Sequence, residues 1–206
     1  MNAESTDTML DQLSAMPRIW NLLRWIVEAG FQGERLVIAR ELRPWAGDAR
    51  RFLDFGCGTG EFADAFPAER YVGVDLSRTY LRFAGSHRPG SYMASSGDGL
   101  ALSAASFDAA LVLGVLHHLS DAVAAAAMSD LHRALRPGAI ALVMEDIPPP
   151  DPWNIAGHLM HWLDRGGYIR SEAEYRTIFG AGFTIERSYQ MRSGICDYAV
   201  YVLKRS

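Results

Sequence analysis

The sequence predicts an α/β fold in which a mostly parallel seven-stranded sheet carries helices on both faces. From about residue 50 onward, short apolar runs alternate with stretches of helical periodicity. Runs such as Ala109–Leu113 are apolar on both faces, as expected for parallel strands that helices cover on each side. A glycine-rich turn, Gly56–Gly60, directly follows the first run, at the end of a strand where such sheets bind ligands. These observations together indicate repeated βα units.

The first part of the chain is predicted to be helical. Apolar residues recur at three- and four-residue steps from Leu10 to Val27, with one break at Pro17, which a second helix accepts in its first turn. A further helix is predicted from about Glu34 to Leu42, because the residue before Pro44 avoids helical geometry. The sequence therefore places two or three helices before the first strand.

We assign residues 1–45 to N-terminal helices that cap a binding site. Their aromatic and apolar side chains, Trp20 among them, exceed what one packed face requires. A helix lying on a membrane surface is the alternative, but the modest basic character of the segment favours the cap. Residues 46–206 then form the main domain.

The next elements alternate between strand and helix. Helical stretches are predicted near residues 60–66, 77–85 and 121–135. The strands that they connect are short and apolar, as buried parallel strands are. The predicted strands are Arg51–Phe55, Tyr71–Val74, Phe107–Leu113 and Ala139–Met144.

The end of the chain follows a different pattern. Phe183–Tyr189 and Cys196–Leu203 are strand-like and are separated by the short link Met191–Gly194, which favours an antiparallel hairpin. We therefore expect one reversed strand at the edge of the sheet. Residues 147–182 are predicted to be a lid insertion that opens with the rigid Pro148–Pro152 and contains helices near 154–164 and 171–179.

Composition limits the class of protein. The chain has 206 residues, of which 49% are hydrophobic and 21% charged, as in an ordinary globular domain. A net charge of -4 argues against a nucleic-acid partner. Two cysteines are too few for a disulfide framework, and Met1–Leu10 does not have the pattern of a signal peptide. Because no apolar run approaches the ~18 residues that span a bilayer, we expect a cytoplasmic protein without stable membrane insertion.

The glycine turn predicts a nucleoside cofactor. Glycines at the end of a strand let the backbone approach a ligand closely. Asp75 follows Gly56 by nineteen residues at the end of the next predicted strand, where a carboxylate can accept both hydrogens of a ribose diol. Asp54 and Glu61 flank the turn and would repel a pyrophosphate, whereas they suit the cationic ammonium and sulfonium of S-adenosylmethionine. A nicotinamide-dependent oxidoreductase is the alternative.

Four motifs in order resemble those of the class I S-adenosylmethionine-dependent methyltransferases, the small-molecule type with a Rossmann-like sheet. Asp54–Gly60 resembles the first motif of that family, and Gly97–Leu102 resembles its acidic segment at the third strand. Phe107–Asp108 with Leu113–Leu119 resembles its fourth-strand motif, and Leu135–Gly138 resembles the turn before strand five. Together they cover roughly residues 50–145, which makes a chance match improbable.

The resemblance implies roles for the matching positions. Asp54 and the backbone of Gly56–Gly58 would contact the methionine portion, Asp75 the ribose hydroxyls, and Asp98 the adenine amino group. Asp98 capping a turn, and Cys57 serving only as a small residue in the loop, are the alternatives. The full set of expected cofactor contacts is Asp54, Gly56, Cys57, Gly58, Gly60, Asp75, Leu76, Asp98, Gly99, Leu113, Gly114 and Val115.

Candidate catalytic and acceptor-binding residues lie beyond strands four and five. Methyl transfer from a sulfonium is an in-line displacement that chiefly needs alignment and exclusion of water, so a base is optional. His117 and His118 are the candidates for such a base, and capping or packing is their alternative role. Candidate acceptor contacts are Trp20, Glu145, His158, Trp162, Tyr168 and Arg170. The alternative for Glu145 is a solvated loop acid or a helix cap, and for the four residues between 158 and 170 it is packing onto the core.

The expected activity is transfer of a methyl group from S-adenosylmethionine to a small-molecule acceptor, releasing S-adenosylhomocysteine. His158 and His161 are three residues apart but have no further metal-ligand pattern, so we expect no metal. A non-catalytic sensor of S-adenosylmethionine is a further alternative, because every cofactor motif could persist without turnover.

Overall fold

The computed structural model describes residues 16–45, 50–95, 102–163 and 167–206, with the side chains of 161–163 left undescribed. One seven-stranded sheet runs through these residues in the order β3-β2-β1-β4-β5-β7-β6. Strands β1 to β5 pair in parallel, as their continuous apolar sequence predicts. The strands are β1 Phe52–Phe55, β2 Tyr71–Asp75, β3 Ser91–Ala94, β4 Phe107–Leu113, β5 Leu135–Asp146, β6 Phe183–Ser193 and β7 Cys196–Arg205.

The C-terminal hairpin is confirmed, but the predicted position of its reversed strand is wrong. Strand β7 is antiparallel to both β5 and β6 and lies between them. The edge strand β6 therefore runs in the same direction as the parallel strands. Burial explains the arrangement, because Tyr198–Leu203 of β7 are buried throughout, whereas most of β6 is exposed or half-buried. The more apolar strand takes the interior position.

Helices cover both faces of the sheet and form two cores. One core joins α4 and α6 to the sheet through Met128, Leu131 and Tyr175. The other joins α2 to the opposite face through Val37 and Ile38. The helices are α1 Pro17–Val27, α2 Gln32–Glu41, α3 Arg78–His87, α4 Asp121–Ala134, α5 Ile155–Leu163 and α6 Glu172–Ile178.

The segment after β1 differs from the prediction, because residues 60–66 do not form an α-helix. Turns follow Gly60, and the only helical element is the single 3₁₀ turn Ala63–Ala65. Pro67 forces the preceding Phe66 into an extended conformation, which ends any helix there. Phe62 and Phe66 are buried, so this short connection serves as core packing between β1 and β2.

The N-terminal helices match the prediction where they are described. Helix α1 begins at Pro17, whose fixed backbone angle suits the first helical turn. Helix α2 ends at Glu41, three residues before Pro44. Among the described residues, no helix has the length and apolar character needed to cross a membrane.

Candidate active site

The glycine turn after β1 has the backbone geometry that its sequence predicts. Gly56, Gly58 and Gly60 all have positive φ, at 75°, 53° and 70°. A Cβ on Gly56 would lie 2.3 Å from Cγ2 of Val115, so the turn packs directly against the end of β4. A Cβ on Gly58 would meet only a ring atom of Tyr80, at 4.0 Å. The turn is therefore tight against β4 at Gly56 and open at Gly58.

Asp75 holds the glycine turn in place. One carboxylate oxygen accepts the backbone N–H of Gly58 at 2.8 Å, and the other accepts the N–H of Ser77 at 2.7 Å. Ser77 in turn caps α3 by accepting the N–H of Tyr80. Asp75 thus links the turn after β1 to the helix after β2, and its carboxylate lies where the two strands end. Leu76, the adjoining predicted contact, is mostly exposed.

Asp54 is oriented differently from Asp75. It is buried in the face of the sheet, and its carboxylate accepts the hydroxyl of Tyr71 at 2.6 Å. Burial raises the pKa of Asp54 to about 7, with the charge of Asp75 acting in the same direction and the Tyr71 hydrogen bond opposing it. The hydrogen bond described for Asp54 is therefore to the core residue Tyr71 and not to the glycine turn.

Most amides of the turn are already engaged. The N–H groups of Gly56 and Cys57 donate to the carbonyl of Val74, and that of Gly60 donates to Cys57. The carboxylate of Glu61 is paired with Arg35 and Arg88, so its negative charge is compensated. Charge at Glu61 is consequently a weaker argument against a pyrophosphate than the sequence suggested. A cofactor with a cationic amino group would use the carbonyl oxygens of this turn rather than its amides.

Glu145 organises the loop after β4 from inside the protein. Its buried carboxylate accepts the N–H groups of Val115 and Leu116 at 3.0 and 2.9 Å and that of His117 at 3.2 Å. The prediction that Glu145 contacts the acceptor does not fit this position, because the side chain is fully buried and turned toward the loop. Its contacts are those of the alternative capping role.

His117 is oriented by the same carboxylate. Its Nδ1 lies 2.9 Å from Oε2 of Glu145, and its Nε2 lies 3.7 Å from Oδ2 of Asp146. A carboxylate only accepts hydrogen bonds, so Nδ1 carries the hydrogen in the neutral ring and Nε2 keeps the lone pair. His118 is exposed, and its ring centroid lies 4.0 Å from that of His117. The two histidines thus differ in burial and in partners.

A cavity has Asp146, the neighbour of His117 Nε2, in its lining. It is bounded by the end of β5, the start of α5 and the turn between β6 and β7. Its lining is mostly apolar, with two carboxylates at its wall. The lining residues are Asp146, Ile147, Pro149, Gly157, Met160, Ile195, Cys196 and Asp197. Asp146 is therefore shared between the cavity and the environment of His117.

The other predicted acceptor contacts lie on different segments of the structure. Trp20 is half-buried on α1, and His158 is exposed with Nε2 3.2 Å from the carbonyl of Asp151. Tyr168 is largely exposed, and its N–H donates to the carbonyl of His117. The side chain of Trp162 and the residues Asp98 and Gly99 lie outside the described part of the chain.

Arg170 does not fit its predicted role. The guanidinium is 6% exposed and donates to the carbonyls of Leu116, Leu119 and Tyr168 and to the carboxylate of Asp121. These bonds hold loop backbone, so the side chain is directed at the protein rather than at an acceptor. Sequence reasoning had no local signal for this, because the bonded loop lies about fifty residues earlier in the chain.

Helix α1 extends from the glycine turn to the C-terminal hairpin. In the middle of the helix, Asn21 accepts a hydrogen bond from the Thr59 hydroxyl at 2.7 Å. At its C-terminal end, the carbonyl of Val27 accepts the N–H of Ile195 at 3.0 Å. In the sheet order, the ends of β4 and β5 lie between these two attachment points. The helix therefore crosses the carboxyl edge of the sheet, where His117 lies.

Sequence reasoning missed a buried polar cluster at the hairpin end of α1. Glu28 accepts two bonds from Arg24 and one from the Tyr198 hydroxyl, and Ser193 donates to Glu34 at 2.6 Å. Burial and the nearby charge of Glu28 raise the pKa of Glu34 to about 8. The available signal was weak, consisting of two glutamates in an otherwise apolar segment.

Comparisons with known proteins agree with this geometry. A family model described as a methyltransferase domain matches residues 53–143. The ubiquinone/menaquinone biosynthesis C-methyltransferase UbiE of Syntrophotalea carbinolica is 33% identical over 84% of this chain and 76% of its own length. A ubiquinone biosynthesis O-methyltransferase of Parvibaculum lavamentivorans is 27% identical, and the chain spans about half of it, 53%.

Two solved structures show the same fold. Magnesium protoporphyrin IX methyltransferase from Synechocystis PCC 6803, with bound S-adenosylhomocysteine, aligns with a TM-score of 0.67 at 20% identity and covers 90% of this chain and 88% of its own. A methyltransferase from Mesorhizobium loti aligns with a TM-score of 0.62 at 21% identity, covering 82% of this chain and 98% of its own.

The chain belongs to the class I S-adenosylmethionine-dependent methyltransferases. It is an enzyme that transfers a methyl group from S-adenosylmethionine to a small molecule. The structure fits that cofactor, because Asp75 places a carboxylate at the end of β2 and Gly58 leaves open space above the turn. The predicted family, fold and cofactor are confirmed, in preference to the oxidoreductase and sensor alternatives.

Proposed function

We propose that the acceptor is a hydroxyl-bearing aromatic ring and that His117 removes the hydroxyl proton. The observation that carries this proposal is the buried pairing of His117 with Glu145, which turns Nε2 toward Asp146 at the wall of the apolar cavity. A ring nitrogen held in this orientation presents its lone pair as a proton acceptor. We expect a planar ring to pack against the apolar residues of the cavity lining, Ile147, Met160 and Ile195.

The two curated relatives support an aromatic acceptor. Their names assign both to quinone biosynthesis, one methylating carbon and the other oxygen. The two reactions share one requirement, because removing the proton from a phenolic hydroxyl makes both its oxygen and the neighbouring ring carbon more nucleophilic. One positioned base therefore serves either outcome, and the position of the ring in the cavity selects the atom.

The residues of the cofactor side complete the proposal. S-adenosylmethionine supplies an electrophilic methyl group on its sulfonium. Asp75 would accept the ribose hydroxyls, the carbonyls of Gly56–Gly60 would accept the ammonium, and Leu113–Val115 would line the adenosine. Asp98 and Gly99 stay proposed contacts of the adenine, on the resemblance of their segment to the family motif.

We also assign α1 the role of a roof over this site. The bond from Thr59 to Asn21 in the middle of the helix and the bond from Ile195 to Val27 at its end support a position across the ends of β4 and β5. A roof excludes water from the sulfonium and from the base, which favours alkyl transfer over side reactions. Trp20 lies on this helix and is the aromatic residue that we expect to meet the acceptor.

The activity test is a panel of acceptors with matched analogues. Catechols and hydroquinones are compared with the same rings carrying methyl ethers in place of free hydroxyls, and with aliphatic amines and thiols. We expect S-adenosylhomocysteine release and a methylated product only with free aromatic hydroxyls. Turnover of an amine or thiol, with the hydroxylated rings inert, would overturn the proposed acceptor class.

The role of the base is tested by His117→Gln, with His118→Gln as the matched control. We expect His117→Gln to lower kcat by about a hundredfold or more, as loss of a general base does, while affinity for S-adenosylhomocysteine stays within about threefold. His118→Gln should change kcat by less than about threefold because its ring is exposed. Equal effects of the two substitutions would contradict the assignment to His117.

The roof is tested by amide hydrogen exchange in the full-length protein. S-adenosylhomocysteine should slow exchange in Pro17–Val27, because a bound ligand keeps the helix in place, and should leave the solvent-facing start of α4 unchanged. Protection confined to the glycine turn and β2 would contradict the roof.

A further inference from the structure

The loop Leu116–Leu119, which carries the two histidines and is called the His117 loop below, is held from two opposite sides. From inside, Glu145 accepts the N–H groups of Leu116 and His117. From outside, the segment Tyr168–Arg170 donates to its carbonyls. The Tyr168 N–H bonds the carbonyl of His117 at 3.1 Å. The amides of Leu116 and His117 and the carbonyls of Leu116, His117 and Leu119 are therefore bonded by groups distant in the sequence.

Arg170 makes the largest share of the outer contacts. Nη1 donates to the carbonyl of Leu116 at 2.7 Å, and Nη2 donates to the carbonyl of Leu119 at 2.6 Å. Nε and Nη2 both donate to the Asp121 carboxylate, at 2.9 and 2.8 Å. Because the guanidinium is planar, one side chain bridges both ends of the loop and is itself fixed by Asp121.

The same segment also reaches the other acid of the site. The hydroxyl of Tyr175 donates to the carbonyl of Asp146 at 3.1 Å, and the guanidinium of Arg170 lies 5.8 Å from the Tyr175 ring. Residues 168–175 thus fix both the loop that carries His117 and the end of β5 that carries Asp146. The distance between Nε2 of His117 and Asp146 depends on both attachments.

We infer that Arg170 is the positioning residue of the catalytic histidine. By holding the carbonyls of Leu116 and Leu119, it keeps the loop in the conformation in which Nδ1 of His117 meets Glu145 and Nε2 lies 3.7 Å from Asp146, a residue of the cavity wall. The inference deepens the proposed function, and its catalytic consequence rests on the role of His117 as base. Its structural consequence, a single tautomer of the His117 ring, does not rest on that role.

The test compares Arg170→Met and Arg170→Lys with Arg176→Met. Lysine keeps the charge but presents a single ammonium in place of the fork, so it cannot reproduce both carbonyl bonds and the Asp121 pair. Arg176 is an exposed arginine of α6 that bonds Ser188 on β6, away from the His117 loop. It controls for loss of an arginine from the same segment.

The primary readout is the ¹⁵N spectrum of the imidazole rings in the full-length protein, with His117 assigned through His117→Gln. We expect the wild type and Arg176→Met to show one neutral tautomer with hydrogen on Nδ1, and both Arg170 variants to show a mixture. We also expect kcat to fall by about tenfold or more in the Arg170 variants, with affinity for S-adenosylhomocysteine within about threefold.

An unchanged His117 spectrum in a folded Arg170→Lys would overturn the inference. A changed spectrum with unaltered kcat would support the positioning role and contradict the role of His117 as base, so the two claims fail separately. If Arg170→Met does not fold, Asp121→Asn provides the second variant. It leaves the carbonyl bonds in place but weakens the fixation of the guanidinium, and we expect the same tautomer change to a smaller extent.

Discussion

The proposed cofactor side and the proposed acceptor side of this enzyme are built in different ways. On the cofactor side, the turn Gly56–Gly60 takes its shape from backbone angles that only glycine adopts easily, and Asp75 fixes it from the end of the adjacent strand. On the acceptor side, the shape depends on side-chain contacts between distant segments, such as Ser193 with Glu34, which are 159 residues apart.

This difference explains why the two sides leave different traces in the sequence. A turn that requires positive φ at alternate positions favours glycine at those positions, so its local sequence reveals it. A hydrogen bond from a buried tyrosine or arginine to a distant carbonyl has no such local pattern. The comparison predicts that single substitutions act locally and strongly on the cofactor side, and through the conformation of several segments on the acceptor side.

The largest effect is expected for Gly56→Ala. A Cβ there combines a left-handed backbone angle with a position 2.3 Å from Cγ2 of Val115. Gly138→Ala is the matched control, since Gly138 has φ of 77° with nothing within 4 Å of the added atom. We expect chemical denaturation to show a loss of about 1 kcal/mol for the control and of about 2 to 4 kcal/mol for Gly56→Ala.

Gly56→Ala should also weaken S-adenosylhomocysteine binding, because Val115 must move away from the turn. Gly138→Ala should bind as the wild type does, since its backbone strain lies at the opposite end of β5. Equal losses of stability in the two variants would show that the backbone angle alone matters at Gly56. The close packing of the turn against the end of β4 would then not contribute to the loss of stability.

The next effect is expected for Asp75→Ala, measured by calorimetric titration with S-adenosylhomocysteine. The substitution removes the proposed acceptor of the ribose hydroxyls and the support of the Gly58 amide, so affinity should fall at least tenfold, about 1.4 kcal/mol. Asp108→Ala is the control, because Asp108 lies at the amino end of β4 and pairs with Arg136. Unchanged affinity in Asp75→Ala would remove Asp75 from the cofactor site.

Much of the fold was predictable because it depends on periodicity and on local turns. Strands β1, β2 and β4 and the later helices lie close to their predicted bounds, since apolar runs and prolines mark them. Strand β5 begins four residues before its predicted start, β6 continues into the predicted link, and β3 had no predicted bounds. Residues 60–66 were predicted as a helix because glycine turns of this kind commonly precede one. The buried Phe62 and Phe66 instead fill the space beside β1, and Pro67 ends the segment.

The acceptor side was less predictable, and the physical reason differs from residue to residue. Glu145 and Arg170 were recognised as residues near the site, but their partners are backbone groups of another segment, which composition does not indicate. The position of β7 inside the sheet was missed because order within a hairpin is set by relative burial rather than by the turn. Only the position of Glu145 in the structure distinguishes His117, which contacts it, from the exposed His118.

The smallest effect concerns Glu28 and Glu34, at the hairpin end of α1, and appears as a pH dependence of the free energy of unfolding. Burial and the charge of Glu28 raise the pKa of Glu34 from 4.5 to about 8. Between these values the folded protein binds a proton that the unfolded chain releases, so the free energy of unfolding falls as pH rises through this window. Asp54, whose pKa is raised from 3.8 to about 7, contributes with the same sign.

Glu34→Gln keeps a hydrogen donor toward Glu28 at every pH and therefore should flatten this dependence. Urea unfolding measures the free energy of unfolding at pH 5.5 and at pH 8.5. The decrease between the two pH values should be larger in the wild type than in Glu34→Gln by at least about 1 kcal/mol. The variant retains a residual slope because Asp54 is unchanged. Glu186→Gln, which removes an exposed carboxylate on β6, should behave as the wild type does. An equal slope in wild type and Glu34→Gln would mean that Glu34 is ionised in the folded protein.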